Sequence, residues 1–516
     1  MPRFIEFKFL KTLAILFCIL FIKASSVIAV EKRKEILVIA TNTENLLFDP
    51  RFANKETNLN ILDILHCSLL RFDENNRLVP QIAEDLANWR TPVQLEIKMK
   101  KNILFSDGSR VTPQDVKATY DYLSRKSDHQ DYTKTSEIKK ITVENESTLL
   151  FELKSPNSFF FTVLTNGILP EKQANSTQPV EPKSVIGCGP YIYKSQDPGK
   201  VMLESNTFYS FGKKPTIKKI NLVNINNIEN SFEALKKGEI DLVQNSEVLH
   251  GLSDNVRKTP NIEIKKTTSL KTNYIGFNLR NNITGNIIVR KAIAHAIDRK
   301  AIIDYVLDGF AIPAKTLLTP NSIYANRQLQ TLDFNIKKAN RQMKEAGFEY
   351  NKKNGSKLTL TYKTFADAKN LQIGKAIAAQ LSKIGIKITV IPIEAKNFFK
   401  EVSVRNTQLW GYSIDKIATP DIYGQILSTK SFPPNGDNFG FYANFELDNL
   451  LEEAISTLDE GKKHPIYLRI QDIINSDLPL IFLWHEEIIS ASSNRLKGYR
   501  PYPNGYIAPI TEAYLE

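Results

Sequence analysis

The sequence is poor in the residues that usually form metal sites and nucleophilic centres. Of its 516 residues, six are histidine and three are cysteine. The histidines are dispersed and form no H-E-x-x-H or other ligand-spaced pair, so no metal site is expected. The G-x-S-x-G, Walker and G-x-G-x-x-G patterns are absent as well. The sequence therefore predicts neither an enzyme nor a cofactor, although a triad assembled from distant positions stays open.

Long apolar runs are also scarce, and the one present lies at the N-terminus. A basic segment precedes the apolar run Leu13–Ile22, and a stretch rich in small residues follows it up to Ala29. This three-part pattern is typical of a secretory signal peptide cleaved after Ala29. Lys23 interrupts the run well short of the roughly 20 residues that a spanning helix needs. Cys18 lies inside the apolar run, behind bulky residues, which argues against a lipid anchor. The mature chain is therefore expected to be exported and soluble.

The sequence has no block of charges of one sign, although its net charge is +12. Removal of residues 1–29 takes away four basic residues and one acidic residue, which leaves a net charge of +9. The remaining lysines and arginines occur singly or in short runs mixed with acids. A nucleic-acid-binding protein would instead gather them on one face, with aromatic residues between them. We therefore expect a solvated basic surface and no nucleic-acid partner.

Two cysteines, Cys67 and Cys188, remain after signal-peptide cleavage. In an exported protein they either form one disulfide or stay as two buried thiols. Cys188 lies between glycines in GCGPY, a position that would suit a nucleophile. No basic partner for it is recognisable, so catalysis by this thiol is not favoured.

Alternating strand and helix patterns are plentiful, and they predict a mixed α/β fold. Residues 35–44 read as a buried strand that runs into a loop. Thr112, Pro113 and Asp115 provide a hydroxyl cap, a proline in the first turn and a carboxylate three residues after the cap, which together start a helix. The segment VRKAIAHAIDRKAIIDYVL, residues 289–307, is expected to be one long amphipathic helix.

Six segments, taken in order, resemble the extracytoplasmic solute-binding proteins of ABC importers, in the family that includes the oligopeptide- and dipeptide-binding proteins. Their order along the chain carries more weight than any one of them. They are LLRFDENNRLVPQIAEDL (69–86), FSDGSRVTPQDVKATYDYL (105–123), GCGPY (187–191), NTFYSFGKKPTIKKI (206–220), ALKKGEIDL (234–242) and VRKAIAHAIDRKAII (289–303).

This resemblance implies a two-lobed periplasmic binding protein with an additional small domain. Lobe I would be discontinuous, lobe II would be continuous, and the small domain would be inserted between segments of lobe I. The implied boundaries are 30–73, 184–265 and 487–516 for lobe I, 74–183 for the inserted domain and 266–486 for lobe II. The lobes would close on a ligand by hinge motion, and the closed protein would dock on a permease in the inner membrane. A monomer is expected.

In the peptide-binding branch of this family, an extended peptide lies between the lobes and is held by main-chain hydrogen bonds. The resemblance places ligand contacts at Thr43, Glu44 and Asn45, and at Tyr412, Ser413 and Ile414. It assigns Asp415 to the peptide's α-ammonium group, with Tyr412 in place of a tryptophan. Lys416 directly follows Asp415, but because neighbouring side chains along a strand point in opposite directions, Lys416 need not face the ligand. Cys67 and Cys188 fall in lobe I or at its border, so a disulfide between them fits the oxidising compartment.

Several alternatives stay open at this stage. Family members differ mainly in their pockets, so the ligand is a peptide or, alternatively, haem, a nickel chelate, a sugar or an antimicrobial peptide. An exported interaction protein and a secreted hydrolase are the alternatives outside the family. A hydrolase would consume peptide, whereas a transport component would bind its ligand without turnover.

Overall fold

The computed structural model describes residues 35–43, 46–52, 56–86, 88–129, 131–225, 227–244, 259–349, 358–404 and 407–516. The predicted signal peptide, Glu44 and Asn45 lie outside the described residues. Within these ranges, no helix combines the length and apolarity needed to cross a membrane.

Strands and helices alternate along the chain, which confirms the mixed α/β prediction. The strands are β1 Ile36–Thr41, β2 Leu70–Phe72, β3 Leu78–Pro80, β4 Asn88–Thr91, β5 Gln94–Lys98, β6 Ile138–Val143, β7 Thr148–Leu153, β8 Tyr191–Asp197, β9 Lys200–Ser205, β10 Lys219–Asn224, β11 Leu242–Gln244, β12 Ile262–Phe277, β13 Ala311–Pro313, β14 Leu358–Phe365, β15 Ile386–Ile393, β16 Leu409–Ile414, β17 Leu480–Ser493, β18 Leu496–Lys497 and β19 Tyr514–Leu515. The α-helices are α1 Glu56–Leu65, α2 Pro113–Leu123, α3 Tyr132–Thr135, α4 Glu171–Ala174, α5 Ile228–Lys236, α6 Ile287–Ala296, α7 Arg299–Val306, α8 Ile336–Glu345, α9 Ala368–Ser382, α10 Phe398–Val402, α11 Ile422–Leu427, α12 Phe445–Ser456 and α13 Glu460–Asp477.

One sheet runs through most of the described chain and contains eleven of these strands. Its order is β15–β14–β16–β12–β17–β11–β1–β10–β9–β8, with β13 also paired to β17. The long strands β12 and β17 are antiparallel neighbours at its centre. Toward one edge β12 pairs with β16, and toward the other β17 pairs with β11. These two strands therefore join the two halves of the molecule into one hydrogen-bonded sheet.

The pairing of β12 with β17 shifts register at two neighbouring places, between Thr268 and Thr272 and between Asn273 and Tyr274. Thr268 lies opposite Glu487, and the next paired residue, Thr272, lies opposite His485. Residues 269–271 therefore form a bulge, which we call the β12 bulge. Within it, the N–H of Leu270 donates to the carbonyl of Pro503 at 3.1 Å, and its carbonyl accepts the N–H of Ile417 at 3.0 Å.

A second, smaller sheet has the order β4–β5–β7–β6 and packs against α2. Helix α2 begins as predicted: the Asp115 carboxylate accepts the Thr112 backbone N–H at 2.7 Å, and Pro113 needs no partner for a nitrogen that carries no hydrogen. Tyr120 on α2 is fully buried, and its ring contacts Phe151 of β7 edge-on at 5.5 Å between centroids. The cap and the apolar face together fix the helix against the sheet.

One helix prediction is wrong in detail. The helix expected over residues 289–307 is two helices, α6 and α7, because Ile297 is extended and Asp298 caps the second helix. The Asp298 carboxylate accepts the N–H of Ala301 at 3.0 Å, which satisfies a backbone donor that would otherwise need a helical partner.

The apolar cores follow this architecture, with one exception. A core under β12, β14 and β16 includes α6 and α9, and a second core lies under β1, β9 and β10. Phe159, which precedes a short 3-10 helix at Phe160–Thr165, is fully buried in a third core with Tyr324 and Tyr467. Its ring contacts both tyrosines edge-on, at 5.8 and 5.9 Å. The segment predicted to belong to the inserted domain is thus anchored in the body that contains α13.

Candidate functional site

A cavity of about 450 Å³ lies where the two halves of the molecule meet. Its wall is built by residues distant in sequence, from α1 and β2, from the segments around α3 and residues 162–167, from residues 415–425 and from residues 502–508. Its volume falls within the range of about 300–1,000 Å³ that is usual for small-ligand sites. Among the described residues, no group of histidines, cysteines and carboxylates is arranged to hold a metal ion.

Asp415 lies in the wall of this cavity, directly after the end of β16. Its side chain is 63% exposed, and the nearer carboxylate oxygen is 3.5 Å from the Lys271 ammonium of the β12 bulge. Lys271 also lies 3.9 Å from the buried carboxylate of Glu486, which Lys369 and the Asn273 amide contact as well. The cavity wall therefore contains a carboxylate that already has a lysine of the β12 bulge as its neighbour.

Lys416 also lines the cavity. Strand β16 ends at Ile414, and Lys416 has a φ of 56°, in the left-handed region. Because the backbone is no longer extended there, the alternation of neighbouring side chains does not apply.

Tyr412, Ser413 and Ile414 lie on β16, opposite Tyr274, Asn273 and Thr272 of β12. The cavity wall does not include these three residues, so their contact with a ligand stays a prediction.

Tyr412 instead belongs to an aromatic cluster. Its ring stacks on Phe398 at 5.6 Å between centroids and contacts Phe365 and Phe399. Burial, with a smaller contribution from the nearby Asp415 carboxylate, raises the pKa of Tyr412 to about 12. This tyrosine is therefore neutral at physiological pH and is held in place by packing.

Thr43 is buried at the end of the segment that follows β1, and its N–H lies 3.4 Å from the amide oxygen of Asn224. It is outside the cavity wall. Glu44 and Asn45 lie outside the described residues, so the three predicted contacts of this segment stay predictions.

Cys67 and Cys188 are joined as a disulfide in the structure, with their Cα atoms 5.1 Å apart. Both are fully buried, at the C-terminal side of α1. The glycines on either side of Cys188 permit this approach. A Cβ atom at Gly187 would lie 2.0 Å from the Leu65 carbonyl oxygen, and one at Gly189 would lie 2.4 Å from that of Ile64. The glycines of the GCGPY segment thus allow its backbone to lie close to the C-terminal end of α1.

The family of the chain follows from comparison with known proteins. A model of the bacterial extracellular solute-binding proteins, family 5 (middle region), matches residues 77–433. The chain belongs to this family. It is therefore a solute-binding protein of the type that serves ABC importers, and its similarity to curated relatives extends over nearly its whole length.

Two curated relatives of this family 5 protein are similar to it over nearly their whole length. It is 26% identical to the oligopeptide-binding protein AppA of Bacillus subtilis over 503 residues, covering 93% of this chain and 91% of AppA. It is 25% identical to the glutathione-binding protein GsiB of Escherichia coli over 488 residues, covering 91% and 92% of the two chains.

Solved structures confirm the two-lobed binding fold. AppA of B. subtilis in complex with a nonapeptide matches with a TM-score of 0.72 at 24% identity, over 93% of this chain and 99% of AppA. NikA of Brucella suis in complex with Fe(III)-EDTA matches with a TM-score of 0.82 at 18% identity, over 93% and 100%. At such identities the likeness concerns the fold alone.

The cavity of this solute-binding protein also contains charged residues that the sequence did not single out. Lys134, at α3, forms an ion pair of 2.8 Å with Asp421, which precedes α11. Burial by itself would raise the pKa of Asp421, but the charge of Lys134 and a hydrogen bond from Thr419 bring that pKa below its ordinary value. This ion pair links two walls of the cavity.

Asp63 on α1 is a further residue of this kind. One of its carboxylate oxygens accepts the N–H of Ala508 at 2.9 Å, and the other is buried without a partner in the described chain. Burial raises the pKa of Asp63 well above its ordinary range. The apolar spacing of Leu62 and Leu65 predicts a helix here, but no pattern in the sequence indicates that Asp63 lies in a cavity wall.

Proposed function

We propose that this family 5 protein captures peptides between its two lobes and delivers them to an ABC permease in the inner membrane. In this proposal the chain is exported to the periplasm after cleavage at Ala29 and acts as a monomer. It binds its ligand without turning it over. The lobes and the inserted domain have the boundaries given by the resemblance: 30–73, 184–265 and 487–516 for lobe I, 74–183 for the insert and 266–486 for lobe II.

The observation that carries the peptide assignment is the unfilled edge of β16. This strand pairs with β12 along its length, from Leu409 to Ile414. On its other side, β14 pairs with it only at Leu409 and Trp410, so in the described chain Gly411–Ile414 has no strand partner on that edge. An extended peptide can add to such an edge through main-chain hydrogen bonds, which are independent of its side chains.

The same edge leads directly into the cavity. Asp415 follows Ile414 and lines the wall, so a peptide lying along β16 would bring its amino group to an acidic residue. The names of AppA and GsiB, an oligopeptide-binding and a glutathione-binding protein, support a peptide ligand as well. NikA, in complex with Fe(III)-EDTA, shows that the fold also accommodates a metal chelate.

Native mass spectrometry of protein purified from its own periplasm tests this function. The expected result is a ladder of bound masses that fragmentation assigns to short peptides, and that disappears after unfolding and refolding. A single discrete mass assigned to a chelate, haem or sugar would overturn the peptide assignment while leaving the transport role intact. Hydrolysis of added peptides by the purified protein would contradict the binding role itself.

A further inference from the structure

The charges in the cavity wall indicate what kind of peptide it accepts. Four aspartates line the cavity against three cations, Arg71, Lys134 and Lys416. A wall with nearly balanced charge suits a ligand that carries both signs better than one with a large net charge. Short peptides with both ends free are such ligands.

Arg71 differs from Lys134 in having no acidic partner among the described residues of this wall. It lies on β2, which pairs with β3, and its side chain is exposed to the cavity while the neighbouring Leu70 is buried. Lys134 is held by Asp421, as described above. In the described chain, by contrast, no carboxylate pairs with Arg71, and its guanidinium N–H groups have no hydrogen-bond partner. Its charge instead lies close to the neutral side chains of Tyr209 and Tyr502.

Arg71 and Asp415 belong to different halves of the molecule. Arg71 is on β2, next to the predicted end of lobe I, whereas Asp415 follows β16 of the predicted lobe II. A ligand with an anionic group at one end and an ammonium group at the other can reach both walls at once. It would then join the two halves as the cavity closes: Arg71 would gain a partner, and Asp415 would gain a second one beside Lys271.

We infer that Arg71 determines specificity by binding the C-terminal carboxylate of the ligand, and that the protein selects short peptides with free C-termini. The planar guanidinium group offers two parallel N–H groups to a carboxylate, which is a stronger and more directional contact than a lysine makes. A cavity of about 450 Å³ is near the lower end of the range for drug-sized ligands, so it favours peptides of roughly two to four residues over long ones. This inference rests on the proposed peptide-binding function.

The test begins with a synthetic pool of random di- to tetrapeptides, screened against the wild-type protein by native mass spectrometry. The tightest binder is then titrated calorimetrically in two forms, the free acid and the C-terminal amide. The proteins are the wild type, Arg71→Gln, Arg71→Lys and the control Arg77→Gln, an exposed arginine on the same hairpin but outside the cavity wall.

Amidation is expected to weaken binding to the wild type and to Arg77→Gln by roughly ten- to hundredfold, since a hydrogen-bonded charge pair is lost. Arg71→Gln should bind both forms with nearly equal, weak affinity, and Arg71→Lys should keep part of the preference for the free acid. If amidation costs the wild type nothing, the inference is overturned whether or not the variants fold. An equal cost of amidation in the wild type and in Arg71→Gln overturns it too, while the peptide-binding function stands. If no member of the pool binds, this inference fails, while the proposed function is decided separately by the peptides that co-purify with the protein.

Discussion

The replacement Asp415→Asn removes the charge that the proposal assigns to the peptide's amino group. An ion pair that is fully buried loses about 3–5 kcal/mol when one partner is removed. Asp415 is 63% exposed and already lies 3.5 Å from Lys271, so a ligand ammonium gains less than this limit at the same position. We therefore expect a loss of about 1.5–3 kcal/mol, which is roughly a ten- to hundredfold weaker Kd. The unliganded protein should melt at nearly the same temperature, because exposed ion pairs contribute only about 0–1 kcal/mol.

Calorimetric titration with a free-amine peptide and its N-acetylated form separates this role from a general loss of charge. Acetylation should weaken binding to the wild type, and Asp415→Asn should scarcely distinguish the two peptides. Asp304→Asn is a matched control, since Asp304 is also a partly exposed aspartate paired with a lysine and lies outside the cavity wall. If acetylation costs the wild type and Asp415→Asn the same affinity, Asp415 is not the partner of the amino group.

Three further predictions follow from the structure. Thiol titration of the unfolded, unreduced mature protein should find no reactive thiol, and two would contradict the Cys67–Cys188 disulfide; reduction should lower stability by about 3–5 kcal/mol because the bridge closes a long loop. Although burial opposes it, the ion pair with Lys134 holds the pKa of Asp421 below the unfolded value of about 3.9, so its stabilisation is complete above about pH 5 and is lost on acidification. Asp421→Asn should therefore melt earlier at pH 7 and lose less stability between pH 5 and pH 3, whereas an unchanged pH slope would refute this. Ligand binding should reduce the radius of gyration in solution scattering, and a micromolar ligand that leaves it constant would refute hinge closure.

Local features of the fold could be predicted from the sequence because their causes are local. The cap at Thr112 and Asp115 starts α2, and glycines at 238 and 347, both with positive φ, follow the ends of α5 and α8. The break between α6 and α7 is not predictable in this way, because the local signals there conflict. Apolar spacing continues through Ile297, and the competing signal is one side chain, Asp298, which acts as a cap only once the backbone turns there.

The candidate site could be predicted from the sequence only in part, because its residues meet through contacts between distant segments. Asp415 was found through the resemblance, yet its neighbour Lys271 was not, because these residues approach each other only when β12 and β16 pair. The same is true of Lys134 and Asp421, which come from segments nearly three hundred residues apart in sequence. Arg71 sits within a recognisable family segment, but periodicity gives no sign that its side chain reaches a cavity.

The β12 bulge has a mechanical consequence. A sheet that is hydrogen-bonded from one half of the molecule to the other resists bending wherever its ladder is intact. The bending should therefore concentrate between Thr268 and Tyr274, where the pairing of β12 with β17 shifts register twice and where the β12 bulge lies. That stretch also holds Leu270, which is tied to Pro503 on one side and to Ile417 on the other, and Lys271, which attends Asp415. The bulge thus meets the cavity wall at two points, at Leu270, which lines the cavity, and at Lys271, whose ammonium group faces Asp415. A fluorophore or a substitution placed there to report on bending would also alter the wall of the cavity. The angle between the lobes and the binding of a ligand at the Asp415 carboxylate should therefore change together.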